Sequence, residues 1–142
     1  MPNSWICVDA NLVIRLVTDP ADEAIRQLWI QWDTAHRQLA APSLLYYEVT
    51  NALYRYQKLG YMTAQSVELA LEAALSLPVN LYTQADLHHR ALAWANRFAL
   101  PAAYDAHYLA IAEYLGGELW TADRALANTV QSELAWVKLV TR

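Results

Sequence analysis

Five short runs of strand length, Trp5–Val8, Gln38–Ala41, Val79–Tyr82, Glu118–Thr121 and Trp136–Val140, alternate along the chain with stretches whose apolar residues recur at helical spacing. Alternation of this kind leaves few ways to fold, because strands joined through helices pair mainly in parallel and the crossing helices cover both faces of the sheet. The expectation is one α/β domain over residues 1–142, with a mainly parallel sheet of about five strands and helices on both faces. Trp5-Ile6-Cys7-Val8 is apolar throughout, as a strand buried on both sides has to be. With 56% hydrophobic residues in 142 the chain can bury one sizeable core, yet no apolar run approaches the roughly 20 residues of a membrane span. No repeat, linker or low-complexity tract divides it.

Local signals set the expected helix boundaries. Asp19 suits a cap and Pro20 a first helical position, and the following helix carries an apolar stripe of Ile25, Leu28, Trp29 and Trp32 that suits the core. Pro42-Ser43 turns into a helix from Leu44 to Leu59, with Gly60 as its stop. Thr63 caps a helix to Ser76, whose Glu68 and Glu72 face solvent; Thr83, with Asp86 three residues on, forms a capping box for Ala85 to Phe98. Gly116-Gly117 ends the helix carrying Tyr108, Leu109, Ile111, Ala112 and Leu115, and a short helix from Arg124 to Asn128 follows the fourth strand.

Four carboxylates break this apolar pattern one at a time. Asp9 stands directly after the first strand and is the one charge between Met1 and Ile14; a helix N-cap is its plainest alternative use. Glu48 is the one charge from Gln38 to Tyr54, a turn inside its helix, and Asp105 is alone between Phe98 and Ala112 at a helix start. Asp123 follows the fourth strand, so the connection back along the helix can bring it to the same side as Asp105. In open α/β sheets, ligands bind at the carboxyl ends of strands. Carboxylates buried there must protonate or be neutralised, and a hard divalent cation does the latter. All-oxygen donors suit Mg²⁺ or Mn²⁺ rather than zinc, and such ions serve metal-assisted hydrolysis of phosphodiesters. His88 and His89 are helical neighbours that point about 100° apart and cannot share an ion; His36 and His107 carry no better ligand signal.

The charge balance is neutral on the choice of substrate. A net charge of −4 speaks against a nucleic-acid partner, but with four of the 14 acids assigned to cations the remaining 10 balance the 10 Lys and Arg. Arg15, six residues after Asp9, and Arg124, next to Asp123, stand near the mouth of such a site and either hold flanking phosphates or remain solvated. The single cysteine, Cys7, excludes an internal disulfide, and the start of the chain lacks a signal-peptide layout, which implies a cytoplasmic protein.

Taken together, Val8-Asp9-Ala10-Asn11-Leu12-Val13-Ile14, Tyr47-Glu48-Val49-Thr50-Asn51-Ala52-Leu53, Tyr104-Asp105-Ala106-His107-Tyr108-Leu109-Ala110 and Thr121-Ala122-Asp123 resemble the PIN domain family, and within it the VapC toxins of VapBC toxin–antitoxin pairs. The resemblance runs over almost the whole chain in the right order. It implies a metal-dependent endoribonuclease in which Asp9, Glu48, Asp105 and Asp123 bind Mg²⁺ or Mn²⁺ and catalyse, with Asn11 and Thr121 in support. It implies an RNA substrate and an antitoxin partner. A PIN-fold RNA-processing nuclease outside such pairs, or a PIN-fold protein that only binds RNA or a partner, is the alternative. Ala10 departs from the family, standing where a hydroxyl residue is frequent. A phosphatase of the haloacid-dehalogenase type would want a second Asp at position 11, where this chain has Asn11; a receiver domain would pair two acids at the first strand; a serine triad lacks its Gly-x-Ser-x-Gly setting.

The 6 Trp and 9 Tyr exceed what one small core holds. Tyr46, Tyr47 and Tyr54 fall near one side of their helix and Tyr56 on another, and an exposed aromatic patch marks an interface. A homodimer is expected, with this helix and the Trp29/Trp32 helix supplying aromatics to the dimer or antitoxin surface.

Overall fold

The structure, a computed structural model, describes residues 4–140. Residues 1–3 and 141–142 of the expected domain lie outside the described residues. In chain order the elements are β1 (Trp5–Val8), α1 (Ala10–Thr18), α2 (Glu23–Thr34), β2 (Gln38–Pro42), α3 (Leu44–Lys58), α4 (Ala64–Leu75), β3 (Val79–Tyr82), α5 (Ala85–Phe98), α6 (Tyr104–Leu115), β4 (Glu118–Thr121), α7 (Arg124–Val130) and β5 (Val137–Leu139). The five strands form one sheet in the order β3-β2-β1-β4-β5, and every neighbouring pair is parallel. The expected α/β architecture is the observed one.

This order places a switch point beside β1. The chain moves from β1 outward to β2 and β3, then returns to the other side of β1 with β4 and β5. The crevice at the carboxyl ends of β1 and β4, where connections leave in opposite directions, is where an open α/β sheet binds its ligand. Asp9 and Asp123 are the residues just beyond those two ends.

β1 is the centre of the core: Ile6, Cys7 and Val8 are buried, which explains its unbroken apolar run. Tyr108, Leu109, Ala110, Ile111 and Ala112 of α6 are all buried too, although the sequence spacing predicts one buried face. The difference has a packing cause. α6 lies across β1, β2 and β4 on one side and against α5 on the other, where Ala91, Ala106 and Ala110 let the two helices approach. A helix between a sheet and a second helix buries most of its circumference.

The two glycines after α6 have separate tasks. Gly116 closes the helix in the left-handed conformation, φ 64°. A Cβ on Gly117 would lie 2.8 Å from the Trp5 carbonyl oxygen, so glycine lets β4 enter the sheet against β1.

Other boundaries differ from the sequence reading. Asp22, not Asp19, caps α2, its carboxylate accepting from the Ile25 N–H at 3.2 Å, while Asp19 accepts from Ala21 N–H in the preceding turn. Placing the cap at Asp22 also lets Arg15 pair with it. Thr83 does not cap α5; the N-cap is Gln84, and Asp86 pairs instead with Arg90 one turn on, at 3.0 Å. Thr63 does cap α4, accepting from Ser66 N–H. Trp32 is buried and its ring packs on Trp29 and Trp120, so neither α2 tryptophan forms the exposed patch expected of that helix. On α3 the half-buried Tyr46 donates to the Ala74 carbonyl at 2.8 Å, leaving Tyr47 and Tyr54 as its exposed rings. Among the described residues, no helix is long and apolar enough to cross a membrane.

Candidate active site

Asp9 occupies the N-cap position of α1 but makes no capping hydrogen bond with its side chain. The carboxylate is turned to the crevice, where it accepts from the Thr121 hydroxyl at 2.7 Å and from Asn11 Nδ2 at 3.4 Å. Thr121, last residue of β4, also accepts from the Asp123 N–H at 3.0 Å, and Asn11 Oδ1 accepts from the Ala122 N–H at 3.1 Å. Asn11 and Thr121 thus lace the end of β1 to the end of β4 and hold Asp9 in one orientation.

The other acids arrive from three further elements. Glu48 projects from α3 and accepts from the Tyr108 hydroxyl of α6 at 2.6 Å. Asp105 sits in the first turn of α6, and Asp123 caps α7, accepting from the Leu126 N–H at 3.1 Å. All four line one open cavity of about 300 Å³, together with Asn11, Asn51 and Arg55.

Burial and the crowding of like charges set the electrostatics of this cluster. Burial, opposed by the Thr121 hydrogen bond and reinforced by Asp105 and Glu48, pushes the Asp9 carboxyl up to about 7. Asp105 is raised as well, by burial first and then by Asp123 and Glu48. Burial and the neighbouring Asp9 and Glu48 push the Tyr108 phenol far up, so it stays protonated as the donor to Glu48. Burial likewise raises the Cys7 thiol, which leaves it inert. Among the described residues, no group of three or more His, Cys, Asp or Glu side chains is placed so that it could hold a metal ion. Asp9, Glu48, Asp105 and Asp123 offer oxygen donors alone, the kind that suits a hard divalent cation.

The two arginines chosen from the sequence have different settings. Arg15 forms an ion pair with Asp22 at 2.7 Å, with both side chains largely covered, and does not line the cavity. It joins α1 to the start of α2. Arg124 is exposed at the first position of α7, next to Asp123, and is not among the lining residues either. Arg55 does line it. Arg55 is not a sequence neighbour of any of the four acids; its signal is a spacing of seven from Glu48, with Asn51 between, which stacks all three along one side of α3.

Acids from four elements thus meet in one cavity at the switch point of a parallel sheet. The PIN domain profile matches residues 6–131, and the chain belongs to the PIN domain family. It is similar to Ribonuclease VapC3 of Mycobacterium tuberculosis, 32% identical over 127 residues that cover 89% of this chain and 88% of the relative. It is also similar to VapC ribonuclease Mb0985 of Mycobacterium bovis, 33% identical over 128 residues covering 90% and 93%. A toxin–antitoxin complex from Klebsiella pneumoniae contains a chain of the same fold, with a TM-score of 0.66 over 96% of each chain at 22% identity.

Proposed function

We propose that the protein is a Mg²⁺- or Mn²⁺-dependent endoribonuclease acting in the cytoplasm as the toxin of a toxin–antitoxin pair. The observation that carries this reading is the convergence of Asp9, Glu48, Asp105 and Asp123 on one cavity with two of their carboxyls raised. The relatives named as VapC ribonucleases support the reaction and the toxin role, and the toxin–antitoxin complex in which the fold neighbour occurs supports a partner.

Asp9, Glu48, Asp105 and Asp123 would hold the ion, which when bound activates water and steadies the leaving oxygen of a phosphodiester. The chain's own residues supply orientation. Thr121 and Asn11 fix Asp9, and the Tyr108 hydroxyl fixes Glu48. Arg55 on the cavity wall and Arg124 on the rim meet backbone phosphates on either side of the cut. An antitoxin covers the exposed face of α3 around Tyr47 and Tyr54, and a homodimer forms through the neighbouring surface.

Single-stranded RNA incubated with the purified protein is expected to be cut in Mg²⁺ or Mn²⁺, spared in EDTA and cut again when the metal is restored. Cleavage indifferent to EDTA, or none with either metal, would count against the reading. Arg55→Ala and Arg124→Ala are each expected to weaken RNA binding and to lower its salt slope by about one unit per lost phosphate contact. Arg15→Ala is expected to lower stability with the slope unchanged, because it breaks the pair with Asp22. An unchanged slope in Arg55→Ala would remove that residue from the phosphate path.

A further inference from the structure

A second cavity, of about 360 Å³, lies beside the acids, at the carboxyl ends of β2 and β3 and the starts of α3, α5 and α6. Its walls include Tyr47, Tyr82, Tyr104, Leu87, His88 and His107. α3 and α6 build both cavities in the same way. Tyr47 of α3 lines the second cavity and the next residue, Glu48, lines the first; Tyr104 and Asp105 of α6 divide in the same manner. Whatever occupies the aromatic cavity is therefore an immediate neighbour of whatever is held by the acids.

The chemistry of the walls suits a flat ring with polar edges. Tyr47 and Tyr104 are 75% and 65% exposed, and neither ring stacks on another aromatic of the described residues. The histidines fix a hydrogen-bond acceptor beside them. His107 Nδ1 lies 2.8 Å from the Ala103 carbonyl, which can only accept, so this nitrogen carries hydrogen. With both rings uncharged, His107 Nε2 accepts from His88 Nδ1 at 2.9 Å, and His88 Nε2 is then left as an acceptor on a residue of the cavity wall.

We infer that this cavity receives the unpaired nucleobase of the nucleotide adjoining the scissile phosphate, stacked on Tyr104 and Tyr47, with His88 Nε2 accepting a base N–H. Single-stranded RNA is bound in this way elsewhere, its bases splayed onto aromatic side chains and read along their edges. The inference rests on the ribonuclease reading, which places a phosphodiester at the neighbouring acids. It makes this cavity a source of sequence preference around the cut.

The test uses the full protein and a short single-stranded oligoribonucleotide of mapped cut position, with versions lacking one base on either side of the cut. For the wild type, loss of one flanking base is expected to raise KM about 10-fold with kcat little changed. Tyr104→Ala should raise KM similarly on the intact substrate and show no further penalty on the abasic one, while Tyr104→Phe, which keeps the ring, behaves as wild type. His88→Ala should lose discrimination between bases at that position. Both positions are exposed, so these variants are expected to fold. Normal cleavage with an undiminished abasic penalty in Tyr104→Ala would overturn the base site and leave the nuclease standing. A change in sedimentation with RNA kinetics intact would overturn it in favour of a protein partner in the cavity. Absence of RNA cleavage by the wild type would overturn the nuclease reading itself, and the base site with it.

Discussion

Single replacement of Asp9, Asp105 or Asp123 by Asn, or of Glu48 by Gln, is expected to reduce metal-dependent RNA cleavage on the order of 10³-fold while the protein stays folded. These substitutions keep shape and remove charge. Asn at position 9 can still accept from Thr121, and Gln at position 48 can still accept from the Tyr108 hydroxyl. Asn at position 123 caps α7 as well as Asp does, so that variant separates the cap from the chemistry. Asp123→Ala, by contrast, should also cost about 1 kcal/mol of stability through the lost cap. Urea unfolding beside initial cleavage rates on one RNA checks both halves. Persistent cleavage in the Asp9, Asp105 or Asp123 variant would remove that residue from the site.

The metal-free protein is expected to lose stability as pH rises toward neutrality, and Asp9→Asn is expected to abolish most of that loss. The Asp9 carboxyl has a pKa of about 7 in the fold against an ordinary 3.8, chiefly through burial. A folded pKa above the unfolded one means that the native state holds the proton more tightly. The contribution is complete below about pH 4, declines as Asp9 ionises at a cost in the fold, and is lost above about pH 7. Its full size is on the order of 4 kcal/mol. Asp105, raised mainly by burial, acts in the same direction. In EDTA at about pH 8, Asp9→Asn should therefore melt several degrees above wild type, and the gap should close as the pH is lowered to about 4. A variant that melts below wild type at pH 8 would show that the cluster is not under charge strain.

The parts of this molecule that were legible in its sequence are those whose signal is local. A strand buried on both faces has no room for polar residues, so β1 shows as Trp5–Val8. An acid set in apolar surroundings shows as an isolated charge, as Asp9, Glu48 and Asp105 do. Long-range contacts were not legible. Tyr108 and Glu48 are 60 positions apart, Arg15 finds Asp22 across a turn, and the His88–His107 pair joins two helices. The strand order that makes the switch point is itself a product of such contacts. The caps of α2 and α5 lie elsewhere than the local signals point for a related reason: several residues in each loop can cap, and tertiary partners choose between them. Asp22 prevails over Asp19 where Arg15 awaits it, and the carboxylate of Asp86 goes to Arg90.

Whether the four acids form one cation-binding centre is decided by a calorimetric Mn²⁺ titration of the protein without RNA. Saturable binding to the wild type is expected, raising its melting temperature and weakened at least about 10-fold in Asp9→Asn and in Asp105→Asn. Binding of equal affinity in wild type and both variants would contradict it.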